Sequence, residues 1–144
     1  MAKSVQLEVI TPSELFYKND VEMVIVRTLG GDEGFMADHA WCCKLLGVGE
    51  LWIQEAGSKD FRVAAICGGY IDVKDKFVVY TDAAEWPEEI DKDRAQRRKA
   101  TVEDWLIHHD LTNTSPDEIT RAKISIAKQI TRMNVAEGGA RRKR

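Results

Sequence analysis

The chain has 144 residues, 44 % hydrophobic and 31 % charged, with a formal net charge of −3. That balance fits a packed globule and excludes a disordered or collagen-like chain, and no apolar run approaches the roughly 18 residues of a membrane span. The acidic excess also argues against a nucleic-acid partner.

The N-terminus, MAKSVQLEV, enters a strand pattern without an apolar signal core or an Arg/Ser-rich transit segment, so residence on the cytosolic side is expected. Gln6–Ile10 alternates polar and apolar residues, and Thr11-Pro12-Ser13 stops it. Leu15–Tyr17 reads as a short second strand and Asn19-Asp20 as a turn. Val21–Leu29 is the longest β-type run, and the glycines from Gly30 to Gly34 read as the turn after it. A second apolar patch, Ala40–Leu46, ends at Gly47-Val48-Gly49. Glu50–Glu55 and Asp60–Ile66 flank Ala56-Gly57-Ser58-Lys59 as a hairpin. Tyr70–Val73 and Phe77–Thr81 follow Gly68-Gly69. Eight to ten short strands with no helix between them predict an antiparallel sandwich or flattened barrel. Cys42, Cys43 and Cys67 lack metal-ligand spacing and read as small buried hydrophobes.

The pattern changes between Glu85 and Arg98. Residues 1–86 hold 8 Lys+Arg against 14 Asp+Glu, whereas residues 87–144 hold 13 against 10. Two modules are therefore predicted, 1–86 and 87–144, joined at a proline-marked hinge. Pro87 suits a first helical turn, and Glu88, Glu89, Asp91 and Asp93 suit the positive end of a helix running to about Ile107. After a turn at Thr112-Asn113-Thr114, Ser115-Pro116-Asp117-Glu118 is a start signal for a second helix. Ile119, Ala122, Ile126, Ile130 and Met133 form its predicted seam, with Arg121, Lys128 and Arg132 opposite. Five seam residues offset little of the entropy of ordering such a helix, so it is expected to be marginal alone. The basic tail past Gly139 is expected to fray.

No nucleophile elbow, HExxH, phosphate-binding glycine loop or CxxC occurs, so neither catalytic nor metal-ligating residues are assigned. His39 beside Asp38 reads as a loop histidine, and His108-His109 as a pair favoured by a helix C-terminus. The basic residues carry more. Asp91, Arg94, Ala95 and Arg98 lie three, four and seven apart, and Lys128 and Arg132 lie four apart. If the two helices fold together, these cations converge on a spot suited to a polyphosphate, with Asp91 free to accept from a ribose or adenine. The same spacing also fits two solvated, salt-bridged faces.

Several strings resemble the epsilon subunit of bacterial rotary F-type ATP synthases: Phe16 with VEMVIVRTLGGDEG and His39-Ala40, then Gly47–Leu51, CGGYIDV, AEWPEEIDKDRA, and Arg132–Glu137. The resemblance covers essentially the whole chain. It implies a ten-stranded N-terminal sandwich and a C-terminal helical hairpin. The sandwich would bind the gamma subunit and the membrane ring of c subunits, at the cytoplasmic face of the bacterial membrane, with no membrane contact outside the complex. Asp32 and His39 match loop positions that face those partners. The hairpin would extend toward the alpha/beta hexamer to block ATP hydrolysis, or lie folded and bind ATP without Mg and without hydrolysing it. The ATP positions implied are Glu85, Ile90, Asp91, Arg94, Ala95, Lys128 and Arg132, with Arg98 standing in for a family arginine that falls at Thr101. Lys128 replaces an arginine, and Met36–Trp41 replaces a loop that reads close to L-P-G-H-A-P. An ATP-insensitive structural stalk subunit is the alternative.

Overall fold

The computed structural model describes residues 3–110 and 112–138, so the expectation for the basic tail lies outside the described residues. Nine strands precede two helices: β1 Val5–Ile10, β2 Leu15–Thr28, β3 Gly31–Met36, β4 Cys42–Leu45, β5 Val48–Glu55, β6 Phe61–Cys67, β7 Tyr70–Val73, β8 Phe77–Tyr80 and β9 Ala84–Glu85. They pair in the order β4-β7-β8-β1-β2-β5-β6-β9, with β3 added to β2. The first half of β2 pairs with β1 and the second half with β3 and β5, so β2 belongs to both layers. Leu7 and Val9 from β1, Val24 and Val26 from β2, Ile53 from β5 and Phe77 from β8 meet in one core.

The β class is as expected, with three differences of detail. Asn19 and Asp20 form no turn: they pair with Leu7 and Gln6 inside β2, and Asn19 donates to Glu55 Oε2 at 3.0 Å. Cross-strand pairing outweighs their poor strand propensity. Nine strands among the described residues fall within the eight to ten expected, because this merger is offset by β3 and β9. Gly31 and Asp32 likewise lie on β3, opposite Thr28 and Arg27, so only the first residues of the glycine stretch turn. Lastly, β1 and β8 run parallel while the other pairs are antiparallel.

The Gly68-Gly69 pair has a steric cause. Gly69 has φ +99°, and a Cβ there would stand 1.8 Å from the Tyr80 carbonyl oxygen. The cysteines depart from expectation: all three are free, Cys43 is exposed, and Cys42 and Cys67 are half-buried.

The helical module begins with a 3-10 turn, Pro87–Glu89, not with a full helix. Ile90 is extended (φ −91°, ψ 123°), which breaks the chain before α1, Lys92–His108. Asp91 caps α1 by accepting from the Arg94 N–H at 3.0 Å. The helix α2, Pro116–Ala136, starts where expected, with Ser115 Oγ accepting from the Glu118 N–H at 3.2 Å.

The two helices pack on each other, and α2 also packs on β5 and β6. That contact buries β5 on both faces: Trp52 and Gln54 are nearly as enclosed as Leu51 and Ile53. The predicted α2 seam is rotated. Ala122 is buried, but Ile130 is 41 % exposed, and the other buried positions are Gln129 and Val135. Gln129 is inward because its Oε1 accepts from Arg132 Nη1 at 3.0 Å, which satisfies a buried amide.

Candidate functional site

A cleft of about 930 Å³ opens between the helices and the edge of the sandwich. Three of its wall residues, Arg94, Arg97 and Arg98, come from α1; three more, Arg121, Lys128 and Arg132, come from α2. Helical spacing puts each trio on one side of its helix, and antiparallel packing turns the two sides toward each other. Lys92 near the start of α1 and Glu137 just past the end of α2 form an ion pair that fixes this antiparallel arrangement.

Glu85, on β9, is the one carboxylate among the described residues of the wall. Arg132 Nη2 donates to its Oε2 at 3.2 Å. Arg132 Nε lies 2.8 Å from Oε1, an ionic contact without hydrogen-bond alignment, so that buried N–H has no aligned acceptor. The other five cations make no ion pair among the described residues. Six cations and one carboxylate among the described residues thus share one concavity, which carries a positive excess.

The structure thus brings Glu85, Arg94, Arg98, Lys128 and Arg132 together. It does not bring Ile90, Asp91 or Ala95 to the wall. Asp91 caps α1, Ile90 is the half-buried break before it, and Ala95 is fully buried. Arg97 and Arg121 are the cations that the implied positions leave out. The signal for both was present, since Arg97 follows Arg94 by three and Arg121 precedes Lys128 by seven, both same-face intervals.

A smaller groove of about 420 Å³ continues the cleft. Arg98, Thr101, Arg121 and Ser125 line both hollows, and Val102, Trp105 and Ala122 line the groove alone. One face of Trp105 stacks on His109 at 4.2 Å. Trp86 does not reach the cleft: it stacks on Phe16 at 4.6 Å, with the Arg62 guanidinium 4.1 Å from its ring.

The other two sequence-derived positions do not line this cleft. Asp32 sits on β3 and not in a loop, ion-paired to Arg27 Nε at 2.6 Å. His39 is exposed, its ring edge-on to Phe35 and its Nδ1 2.8 Å from the Ala40 carbonyl. Its neighbour Asp38 pairs with Lys3 at 2.6 Å and has φ +66°, a left-handed backbone that the chain tolerates in an aspartate. Leu29, Met36, Trp41 and Leu45 are all at least half exposed. Among the described residues no group of His, Cys, Asp or Glu could hold a metal ion, and no helix is long and apolar enough to cross a membrane.

Comparison with known proteins agrees with this architecture. Residues 4–87 match the family model "ATP synthase, Delta/Epsilon chain, beta-sandwich domain". The ATP synthase epsilon chain of Caldicellulosiruptor bescii is 38 % identical over 133 residues, covering 92 % of this chain and 93 % of that one. That of Alkaliphilus metalliredigens is 43 % identical over 107 residues, covering 74 % and 78 %. The Bacillus pumilus chain is 31 % identical over 135 residues, covering 93 % and 98 %. Among solved structures, a chain of the Euglena gracilis mitochondrial ATP synthase superposes with a TM-score of 0.69 at 25 % identity, covering 90 % of this chain and 78 % of that one. A chain of the Tetrahymena thermophila mitochondrial ATP synthase central stalk shares the fold, with a TM-score of 0.61 at 11 % identity, covering 93 % and 97 %. With a sandwich, a helical pair and relatives of this length and identity, the chain belongs to the epsilon chains of ATP synthase, non-catalytic subunits of that enzyme.

Proposed function

We propose that this chain is a rotor subunit whose sandwich, residues 1–86, couples the gamma subunit to the c ring, and whose hairpin, residues 87–144, is an ATP-sensing arm. The complex would hold it at the cytoplasmic face of the bacterial membrane. The solved relatives support the first part, since one belongs to an assembly described as central stalk and c ring. The exposed apolar residues near Asp32 and His39 offer a surface for such partners.

The single observation that carries the second part is the convergence of six cations on one cleft that exists only while the helices lie together. A polyanion bound there favours the folded arm and leaves an extended, hydrolysis-blocking arm less populated. ATP at about 100 times its dissociation constant would add roughly 2.7 kcal/mol to the folded state. ATP is a regulatory ligand in this reading, bound through the cations without Mg and not hydrolysed.

One observation favours the rival reading of an ATP-insensitive structural subunit. Asp91 and Ala95, two of the implied ligands, already serve capping and packing. Titration calorimetry of the full chain with Mg-free ATP separates the two. Binding that weakens at least about tenfold in Arg94→Ala supports the sensor. Absence of binding, or an affinity unchanged in that variant, leaves the structural role.

A further inference from the structure

Trp86 is tied into the sandwich from several strands at once. Its ring stacks on Phe16 with centroids 4.6 Å apart and meets Tyr17 edge-on at 5.9 Å, and the Arg62 guanidinium lies 4.1 Å from its centroid. Arg62 is placed in turn by Glu55, whose Oε2 is 3.6 Å from its Nη1. That same oxygen accepts from Tyr17 Oη at 2.8 Å and from Asn19 Nδ2 at 3.0 Å. Strands β2, β5 and β6 therefore all contribute to one clamp on one side chain. An indole gripped by aromatic rings and a cation has little freedom to turn.

The clamp reaches past Trp86 through the backbone. The Trp86 carbonyl accepts from the Glu89 N–H at 3.0 Å, and the Pro87 carbonyl accepts from the Ile90 N–H at 3.3 Å. The turn they form also packs on β6. Beyond it the hydrogen bonding starts afresh. Asp91 accepts from the Ala95 N–H at its carbonyl and from the Arg94 N–H at its carboxylate, both at 3.0 Å. No backbone hydrogen bond among the described residues joins 86–90 to 91–95. Ile90 and Asp91 are both extended, with ψ of 123° and 98°, so theirs are the torsions that neither ladder nor turn holds.

We infer that Trp86, clamped by Arg62, is the fixed post of the helical arm, and that the arm turns at Ile90 and Asp91 while Pro87–Glu89 stays with the sandwich. The Lys92–Glu137 pair lies inside the arm and survives such a turn, whereas Arg132–Glu85 joins arm to sandwich and must break. Contacts of α2 with the Pro87–Glu89 turn are released as well. This goes beyond the ATP reading, because the pivot belongs to the chain whichever ligand, if any, moves the arm.

The test is amide hydrogen exchange followed by NMR on the full chain without nucleotide, so its outcome is separate from that of the ATP titration. In Arg132→Met the α2 amides are expected to exchange about tenfold faster. The Glu89 and Ile90 amides are expected to keep their parent rates, and the Trp86 indole resonance its position. Acceleration of those two amides together with α2 would put the turn in the arm and overturn the pivot. Arg62→Met removes the cation from Trp86 and Glu55 at an exposed position, so the sandwich is expected to fold as before. It is expected to speed Glu89 and Ile90 exchange about tenfold while β5 and β8 keep their protection. Lys59→Met removes a charge from the exposed turn between β5 and β6 and is expected to leave all these rates unchanged. Equal rates in Arg62→Met and Lys59→Met would remove Arg62 as the clamp and overturn the post.

Discussion

The sandwich and the helical pair are held together by different means. In the sandwich, Leu7, Val9, Val24, Ile53, Ile71 and Phe77 are essentially sealed from solvent in one cluster fed by both layers. In the helices, the fully described buried positions are Ala95, Ala122, Gln129 and Val135, small or polar for the most part. The hairpin holds instead through helix packing, two caps, the Lys92–Glu137 pair and the Arg132–Glu85 pair. Apolar burial of the first kind is insensitive to charged ligands. Contacts of the second kind include ion pairs, which a charged ligand competes with. The lesson is that the same chain separates rigidity from responsiveness by where it spends its large apolar side chains.

The strongest challenge to that contrast is Phe77→Ala. Phe77 is fully buried, and its truncation is expected to destabilise the sandwich by about 3–5 kcal/mol in chemical denaturation. A loss no larger than that of a surface substitution would mean the β core is not the rigid part.

Arg132→Met sharpens the other side. It removes the link from α2 to Glu85 on β9 and is expected to cost the hairpin about 1–2 kcal/mol, discounted because both side chains keep some exposure. Hydrogen exchange should speed about tenfold in α2 while β5 and β8 keep their protection. Equal acceleration in both modules would show that they open as one unit.

The smallest effect is a pH dependence confined to the sandwich. Tyr17 Oη donates to Glu55 Oε2 at 2.8 Å. This bond, helped by Asn19 and Arg62 against the opposing effect of burial, lowers the Glu55 pKa below its ordinary 4.5. Burial first, and then the Glu55 hydrogen bond, raises the Tyr17 pKa above its ordinary 10.0. A depressed carboxylate contributes stability above about pH 4.5 that is lost as pH falls through its folded value. A raised phenol contributes stability below about pH 10 that is lost as pH rises toward its folded value. Glu55→Gln is expected to flatten the acid limb of a stability–pH curve followed by thermal unfolding; an unaltered acid limb removes Glu55 as its source.

Much of this molecule was legible from contiguous residues. The alternation of β1, the hairpin of β5 and β6 and the start of α2 at Ser115 all follow from periodicity, turn chemistry and capping. These depend on neighbours within a few residues, so the amino-acid order alone determines them. Tertiary structure decided the rest, because it depends on which surfaces meet. Asn19 and Asp20 became strand because β1 and Glu55 were there to pair with them. The seam of α2 turned toward Gln129 and Val135 because the helix covers β5 and β6 as well as α1. The cations of two separate helices became one site only through antiparallel packing, which sets Arg121 at one end of the cleft and Glu85 at the other. Local spacing can put charges on one face of a helix, but only a second helix can make that face a wall.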